Sequence, residues 1–373
     1  MSIRLHWFLP TSGDSRTVVP MGAHGHRRAP TIDYLAEVAR TAENLGFEAV
    51  LTPTGTWCED AWIVTAALMR ETRKLKFLVA FRPGVISPTL AAQQAATFQR
   101  LSGGRLLLNV VTGGEDAEQR SFGDWLDHDA RYARTDEFLS ILRGAWSRKP
   151  FDFDGSHYKV SGATVSSPPE PIPPLFFGGA SEIAERVAAR HVDVYLTWGE
   201  PPAQVAEKIA DIRSRAAKHG RTLRFGIRLH TITRDRSEDA WAETRRFVEQ
   251  LDPAAVREAQ RAFANSQSVG QQRMTALHGG SVERLQISPN LWAGYGLVRR
   301  GAATTLVGSH SEVADRIEEY HRLGFDHFIL SGHPHVEEAY WFGEGVMPLL
   351  RKRGLLDGHD RPAAAPMRLH SPS

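Results

Sequence analysis

The sequence predicts an α/β fold: a closed (β/α)8 TIM barrel with insertions at the C-terminal face of its strands. Three observations carry that reading. Eight short apolar runs alternate with helical stretches, the run at 75–81 is apolar at every position but Lys76, as in strands covered on both faces, and no repeat or linker divides the chain. The 373 residues suffice for one such barrel, which takes about 250 residues and more with insertions. A two-domain doubly wound sheet would not need eight strand–helix alternations in a row.

The strands are expected at 3–9, 47–51, 75–81, 106–111, 175–177, 194–197, 224–233 and 328–331. Helices are expected at 31–45, 60–70, 88–101, 135–147, 181–190, 202–219, 312–323 and 338–350. Thr31 is a candidate N-cap with Gly46 just past the helix end, and Ser87 followed by Pro88 is a helix start. Asp154-Gly155 between alternating residues marks a small hairpin at 151–160. The stretch 251–300 is too long for an ordinary connection and is expected to form an active-site lid. Residues 1–350 are thus expected to form one barrel domain, and 351–373, with Pro362, Pro366 and Pro372, a C-terminal tail.

Hydrophobic residues make up 42% and charged residues 24% of the chain, ordinary values for a soluble protein. A net charge of +2 supplies no strong field for nucleic acid or a membrane surface, so any anion site must be local. Cys58 is the single cysteine, which excludes an internal disulfide and a thiolate metal site, and no metal is expected. The N-terminus has no secretory pattern and no window approaches a transmembrane span. The expected location is the cytoplasm.

The run 224–233 places Arg228 and His230 on one face of a strand, because alternate side chains share a face. On a pocket wall they would offer a fixed cation and a titratable imidazole to one ligand, whereas at a strand end they would simply be solvated. Gly178-Gly179-Ala180-Ser181 lies between a strand and a helix start, where backbone N–H groups and the helix dipole favour a phosphate; the glycines equally fit a plain tight turn. No Walker-type lysine and no G-x-G-x-x-G fingerprint is present, which leaves a flavin monophosphate tail as a candidate ligand. Trp198 ends a strand and could wall a planar ligand or be ordinary core. Arg299 and Arg300 lie at the end of the lid stretch and could be solvated. Cys58 sits at a strand-to-helix turn, where a lone cysteine is a packing residue or a nucleophile.

Taken together, these stretches resemble the FMNH2-dependent alkanesulfonate monooxygenases of the bacterial luciferase-like superfamily, from the first strand to about Gly345. The matching runs include Trp7-Phe-Leu-Pro-Thr11, Cys58-Glu-Asp-Ala-Trp62, Leu75-Lys-Phe-Leu-Val-Ala80, Asn109-Val-Val-Thr-Gly113, Tyr195-Leu-Thr-Trp-Gly-Glu-Pro-Pro202 and Gly226-Ile-Arg-Leu-His230. Ser268-Val-Gly-Gln-Gln-Arg-Met274, Ile287-Ser-Pro-Asn-Leu-Trp-Ala-Gly294 and Ser331-Gly-His-Pro-His335 continue the match. The resemblance implies a monooxygenase that receives reduced FMN (FMNH2) from a separate NAD(P)H-dependent flavin reductase. With O2 such an enzyme cleaves the carbon–sulfur bond of an organosulfonate, giving sulfite and an aldehyde, and a homodimer or homotetramer is expected. It further implies that Arg228 and Arg299 hold the sulfonate and the oxygenated flavin, and that His230 and Trp198 line the reaction centre. His333 and His335 would take part in the substrate site, with Cys58 near the flavin. Asn109, Thr112, Tyr132, Gly178, Gly179 and Ser181 fall where the family contacts FMN, and Arg273 lies in its mobile lid.

One departure is that His333 stands where the resembled enzymes usually carry tyrosine in a Ser-Gly-Tyr-Pro-His run. An imidazole differs from a phenol in reach, acidity and charge, so the proton route does not transfer unaltered. The change fits a bulkier, hydroxylated sulfonate such as the sulfosugar sulfoquinovose. Two rival readings are a flavin- or F420-dependent dehydrogenase of the same superfamily, which needs no paired arginines, and a non-catalytic sulfonate-binding protein, which needs no FMN.

Overall fold

The computed structural model describes residues 2–16, 18, 27–264 and 266–357, so most of the expected tail, 358–373, lies outside the described residues. The first part runs β1 (Arg4–Phe8), α1 (Ile32–Leu45), β2 (Ala49–Thr52), α2 (Ala61–Leu68), β3 (Lys76–Phe81), α3 (Pro88–Ser102), β4 (Leu106–Val110), α4 (Asp116–Ser121) and α5 (His128–Ala145). A hairpin of β5 (Phe151–Asp154) and β6 (Lys159–Ala163) precedes β7 (Leu175–Gly178), α6 (Glu182–His191), β8 (Val194–Trp198), α7 (Pro202–Ala217) and the long β9 (Arg224–Arg234). There follow α8 (Ser237–Glu249), α9 (Pro253–Ala264), α10 (Val269–His278), β10 (Gln286–Ser288), β11 (Leu291–Trp292) and β12 (Thr305–Ser309). The chain then forms α11 (His310–Leu323), β13 (His327–Ser331) and α12 (His335–Lys352).

Eight parallel strands close the barrel in the order β1-β2-β3-β4-β7-β8-β9-β13, and β13 pairs back to β1. Along each strand alternate residues face inward. Phe8, Leu51, Leu78, Leu107, Phe176 and Ile329 fill the interior, while Trp7, Phe77, Phe177 and Phe225 pack outward into the layer beneath the helices. The same alternation turns Arg228 and His230 of β9 and Ser331 of β13 inward.

β9 is where the barrel departs from a plain eightfold repeat. From Arg224 to Arg228 it pairs with β8; from His230 to Arg234 that same edge pairs with β12 instead. The wall therefore forks just above Arg228, and β12, β11 and β10 hang from the fork as a small antiparallel extension. A second core forms there around Phe247, Trp292, Tyr295 and Leu297.

The predicted caps form. Thr31 accepts from the Tyr34 amide and Gly46 closes α1 in the left-handed conformation, and Ser87 caps α3 with Pro88 in its first turn. The structure corrects several boundaries. The helix expected from 135 begins at His128, because Asp127 accepts from the Ala130 amide at 2.8 Å and supplies a cap seven residues upstream. The terminal helix begins at His335 and ends at Lys352. Helices α4 and α8 and strand β12 have no counterpart among the expected elements: the buried stripe of α8 is only Ala240, Thr244 and Phe247, too small and polar to mark a helix, and Gly308 interrupts the apolar pattern of β12. The described residues of the stretch 251–300 contain α9, α10, β10 and β11.

Candidate active site

The fork in β9 explains how the site is assembled. Where β8 and β9 part, the backbone at 299–304 fills the gap: the His230 amide donates to Thr304 O at 2.8 Å and Thr304 Oγ1 donates to Gly199 O at 2.7 Å. This seats Arg299 over the inward face of β9. Arg299 Nη1 lies 2.6 Å from His230 Nε2 and donates to Ala302 O at 2.9 Å. His230 Nε2 is also 3.1 Å from Ala302 O, but a guanidinium only donates, so Nε2 accepts from Arg299. The ring proton then sits on Nδ1 and points to Ser331 Oγ, 2.9 Å away.

Ser331 Oγ accepts a second hydrogen bond, from Arg228 Nη2 at 2.8 Å. With both lone pairs engaged, its own O–H is left to donate. Arg228 Nη1 donates to the carbonyls of Leu229, at 2.5 Å, and Ile329, at 3.3 Å, and its guanidinium lies 5.0 Å above the Phe8 ring. Among the described residues no carboxylate pairs with Arg228 or Arg299. Burial, aided by Arg299, pulls the Arg228 guanidinium well below its usual range. Arg299 is half-buried at the residue level, yet its head group reaches the fully buried His230, and desolvation there brings it down to about 10. At about 10, Arg299 stays a cation at neutral pH, and a guanidinium such as that of Arg228 is not deprotonated in proteins. Burial, followed by the two cations, drives the His230 imidazole well below its ordinary value, so the ring is neutral.

The turn after β13 carries His333 against this centre. Its ring stacks on His230 at 5.5 Å, and the buried Tyr295 stands edge-on to both rings, at 5.1 and 5.7 Å. Burial lowers His333 to about 3. His335, its ring edge-on to His333 at 4.8 Å, belongs to a second polar cluster. Its Nδ1 lies 2.9 Å from Asp14 Oδ1 and its backbone N–H donates to Asp14 Oδ2 at 2.7 Å. Tyr34 donates to the same carboxylate. Burial pushes Asp14 upward, but His335, His333 and Tyr34 outweigh it and hold the carboxyl well below its usual range.

The remaining residues singled out in the sequence form other walls. Trp198 is paired with Arg228 across β8 and β9, and α10 covers it: a Cβ on Gly270 would come within 3.1 Å of its ring. Arg273 of α10 is ion-paired to Glu200, a buried carboxylate also bound by Lys208 at 2.6 Å. Asn109 lies on β4 opposite Phe176. Thr112 Oγ1 is 3.2 Å from Thr135 Oγ1, so that hydroxyl is engaged with α5. Cys58 lies in the turn before α2 with Sγ 3.6 Å from Gly55 O; burial pushes its thiol up to about 11, a protonated group with weak nucleophilicity.

Gly178 ends β7 and Gly179 follows it, and Ser181 caps α6 by accepting from the Ala184 amide at 3.4 Å. A Cβ on Gly179 would lie 2.5 Å from the Ala184 methyl and 3.3 Å from the Tyr132 hydroxyl, so this backbone is kept bare. Tyr132 is buried, its phenol raised to about 12 by burial, and Tyr195 OH donates to Gly179 O. A bare strand-to-helix turn with a serine cap and a tyrosine hydroxyl fits the terminal phosphate of a mononucleotide. The sequence reading did not single out Asp14, Ser331 or Tyr295. Of these only Ser331 had a local signal, its inward parity with Ile329.

The molecule is thus a parallel eight-stranded α/β barrel with a bare turn after β7 and, inside its mouth, two cations without a carboxylate partner among the described residues. Residues 3–327 match the family model for luciferase-like monooxygenases. The chain belongs to that family and is an oxidoreductase of the monooxygenase type. Among solved structures it is similar to a riboflavin lyase (RcaE) crystallised with modified FMN and riboflavin, at 22% identity and a TM-score of 0.81 over 97% of this chain and 94% of that one. It is also similar to the EDTA monooxygenase (EmoA) of Chelativorans sp. BNC1, at 19% identity and a TM-score of 0.74 over 96% and 95%. The long-chain alkane monooxygenase LadA gives 20% identity and a TM-score of 0.76 over 96% and 93%. At these identities the likeness establishes the shared barrel.

Among the described residues, no helix is long and apolar enough to cross a membrane.

Proposed function

We propose that this protein is the oxygenase of a two-component system that takes FMNH2 from a separate NAD(P)H-dependent flavin reductase and cleaves the carbon–sulfur bond of an organosulfonate. The reading includes a homodimer or homotetramer. The single observation that carries it is the pair Arg228 and Arg299, guanidinium groups at a desolvated centre without a carboxylate partner among the described residues. An uncompensated cation away from water costs several kcal/mol, and a site that holds two is built for an anion. A sulfonate is anionic at every physiological pH and offers three oxygens to charge-assisted hydrogen bonds. A neutral oxygen acceptor would recover little of that cost, which disfavours a dehydrogenase.

Gly178, Gly179, Ser181 and Tyr132 would hold the phosphate of FMN, with Asn109 inside the barrel. Bound FMNH2 would supply two electrons for O2. In balance, RCH2SO3− + FMNH2 + O2 gives RCHO + HSO3− + FMN + H2O, so the carbon is oxidised as its bond to sulfur breaks. Arg228 and Arg299 hold the sulfonate and the departing sulfite. His230, neutral with its lone pair at Nε2, accepts a proton from the sulfonate-bearing carbon once Arg299 turns from Nε2 to the anion. Trp198 walls the cavity, and α10 over it excludes water.

The test is sulfite release from alkyl, aryl and sugar sulfonates with a flavin reductase, NAD(P)H and FMN, beside a control lacking reductase. Sulfite from at least one sulfonate, dependent on reductase, is expected. Turnover with NADPH alone, or aldehyde-free hydride transfer under anaerobic conditions, would overturn the reading.

A further inference from the structure

His333 Nε2 is buried without a hydrogen-bond partner among the described residues, although its ring lines the same centre as His230 and Tyr295. The other ring nitrogen faces a fixed charge: His333 Nδ1 lies 3.9 Å from Asp14 Oδ1. That is too long for a hydrogen bond but close enough for a carboxylate at a desolvated site to decide where the ring carries its proton. Asp14 is itself immobilised, its side chain fully buried and held by Tyr34, the His335 ring and the His335 backbone N–H.

We propose that Asp14 is a positioning residue that fixes His333 as the Nδ1–H tautomer, so that Nε2 presents a bare lone pair to the substrate and selects a sulfonate that also carries a hydroxyl group. The argument is one of complementarity. Arg228, Arg299 and the Ser331 O–H are all donors, suited to the sulfonate oxygens, whereas His333 Nε2 is an acceptor that no donor among the described residues engages. Only a donor brought by the ligand satisfies it. In the opposite tautomer Nδ1 would turn a lone pair toward the Asp14 carboxylate, and Nε2–H would be one more donor among donors. A ring lowered to about 3 by burial stays neutral across physiological pH, so this acceptor persists. A cation in place of the Nδ1 proton is disfavoured: Asp14 already accepts from four donors, the Ser15 amide among them, and Arg299 is near enough to act on the His333 ring.

The inference rests on the sulfonate reading above, and two measurements separate their failures. In the first, ring-15N-labelled histidine in the wild-type protein is compared by NMR with His333→Gln, which assigns the His333 signals without any substrate. Nδ1 protonated and Nε2 bare is the expected result, with the tautomer ratio moving toward Nε2–H in Asp14→Asn; Nε2–H in the wild type, or no change in Asp14→Asn, overturns the proposal. Tyr34→Phe, which removes a support of Asp14 while leaving its charge, guards against misfolding of Asp14→Asn and is expected to shift the ratio less. In the second, kcat/KM is measured for matched sulfonates of equal carbon number, propane-1-sulfonate against 2,3-dihydroxypropane-1-sulfonate. The hydroxylated compound is expected to be favoured about ten- to a hundredfold, a preference lost in His333→Phe and partly kept in His333→Gln, which retains an acceptor. Equal kcat/KM for both compounds in the wild type sinks the hydroxyl selectivity alone. Absence of sulfite from every sulfonate sinks the reading beneath it.

Discussion

At His230 one nitrogen is capped by a cation and the other donates to a serine that a second cation also grips, so both arginines act on the same ring. This arrangement separates their roles. Arg228 is buried, fixed by two carbonyls and by Ser331, and sits below the ring on its own strand; Arg299 comes from the fork segment and must move to release Nε2. Each charge-assisted contact to a sulfonate is worth about 1.5 to 3 kcal/mol, one to two decades in binding. Arg228→Ala is expected to lower kcat/KM by more than Arg299→Ala, because it also unsettles Ser331. Steady-state kinetics with the best sulfonate check this, and wild-type kcat and KM for Arg228→Ala would remove β9 from the centre of the site. A second expectation concerns Asp14. A carboxyl held below its usual value contributes stability above its unfolded pKa of 3.8, and loses it as pH falls through the folded value. Below about pH 4, wild-type stability should therefore fall more steeply than that of Asp14→Asn, which is the less stable of the two at neutral pH. Urea titrations at pH 7, 4 and 3 give the slopes.

Among the elements, α10 has the most direct bearing on chemistry. It is short, its outward residues are polar, and it is anchored by Arg273 to the buried Glu200 while Gly270 lies against Trp198. Its attachment is thus a few specific contacts over the barrel mouth rather than a large apolar face, the kind of element that opens at low cost. Removing residues 262–279 should abolish sulfite release while far-UV circular dichroism and cooperative unfolding of the barrel persist. Undiminished turnover would take this element out of the mechanism. β9 makes the contrast: nine of its residues in a row, Phe225 to Thr233, are buried, and it contacts strands on both sides. The cover and the floor of the site are separate elements.

For the whole molecule, the unpaired cations are a standing cost that an anion would relieve, and the relief should appear as stability. A ligand that binds only the folded state at a hundred times its Kd adds about 2.7 kcal/mol. A saturating alkanesulfonate, with FMN present, should therefore raise the thermal midpoint of the wild-type protein by a few degrees and leave Arg228→Ala almost unmoved. The corresponding alcohol, of equal length but uncharged, should do nothing to either. Differential scanning fluorimetry decides it, and an equal shift with the alcohol would place the binding energy in the apolar walls instead.

The sequence by itself determined what depends on local periodicity and local chain chemistry. Eight apolar runs and their intervening helices define a parallel barrel; alternation along β9 puts Arg228 and His230 on one face; Thr31, Ser87 and Ser181 cap helices because a hydroxyl reaches the amides two or three residues on. Such features need only near neighbours. The tertiary structure alone decided how the site is joined. Asp14 meets His335 across 321 positions because β1 and β13 are the strands that close the barrel, and Ser331 meets His230 across 101 because β9 and β13 are neighbours in it. Arg299 reaches His230 across 69 because β9 changes partners from β8 to β12 and leaves a gap for the chain to enter. None of these contacts has a period or a local spacing. Each exists because closing a sheet brings inward-facing positions of distant strands to one axis, where desolvation makes every polar group there seek a partner.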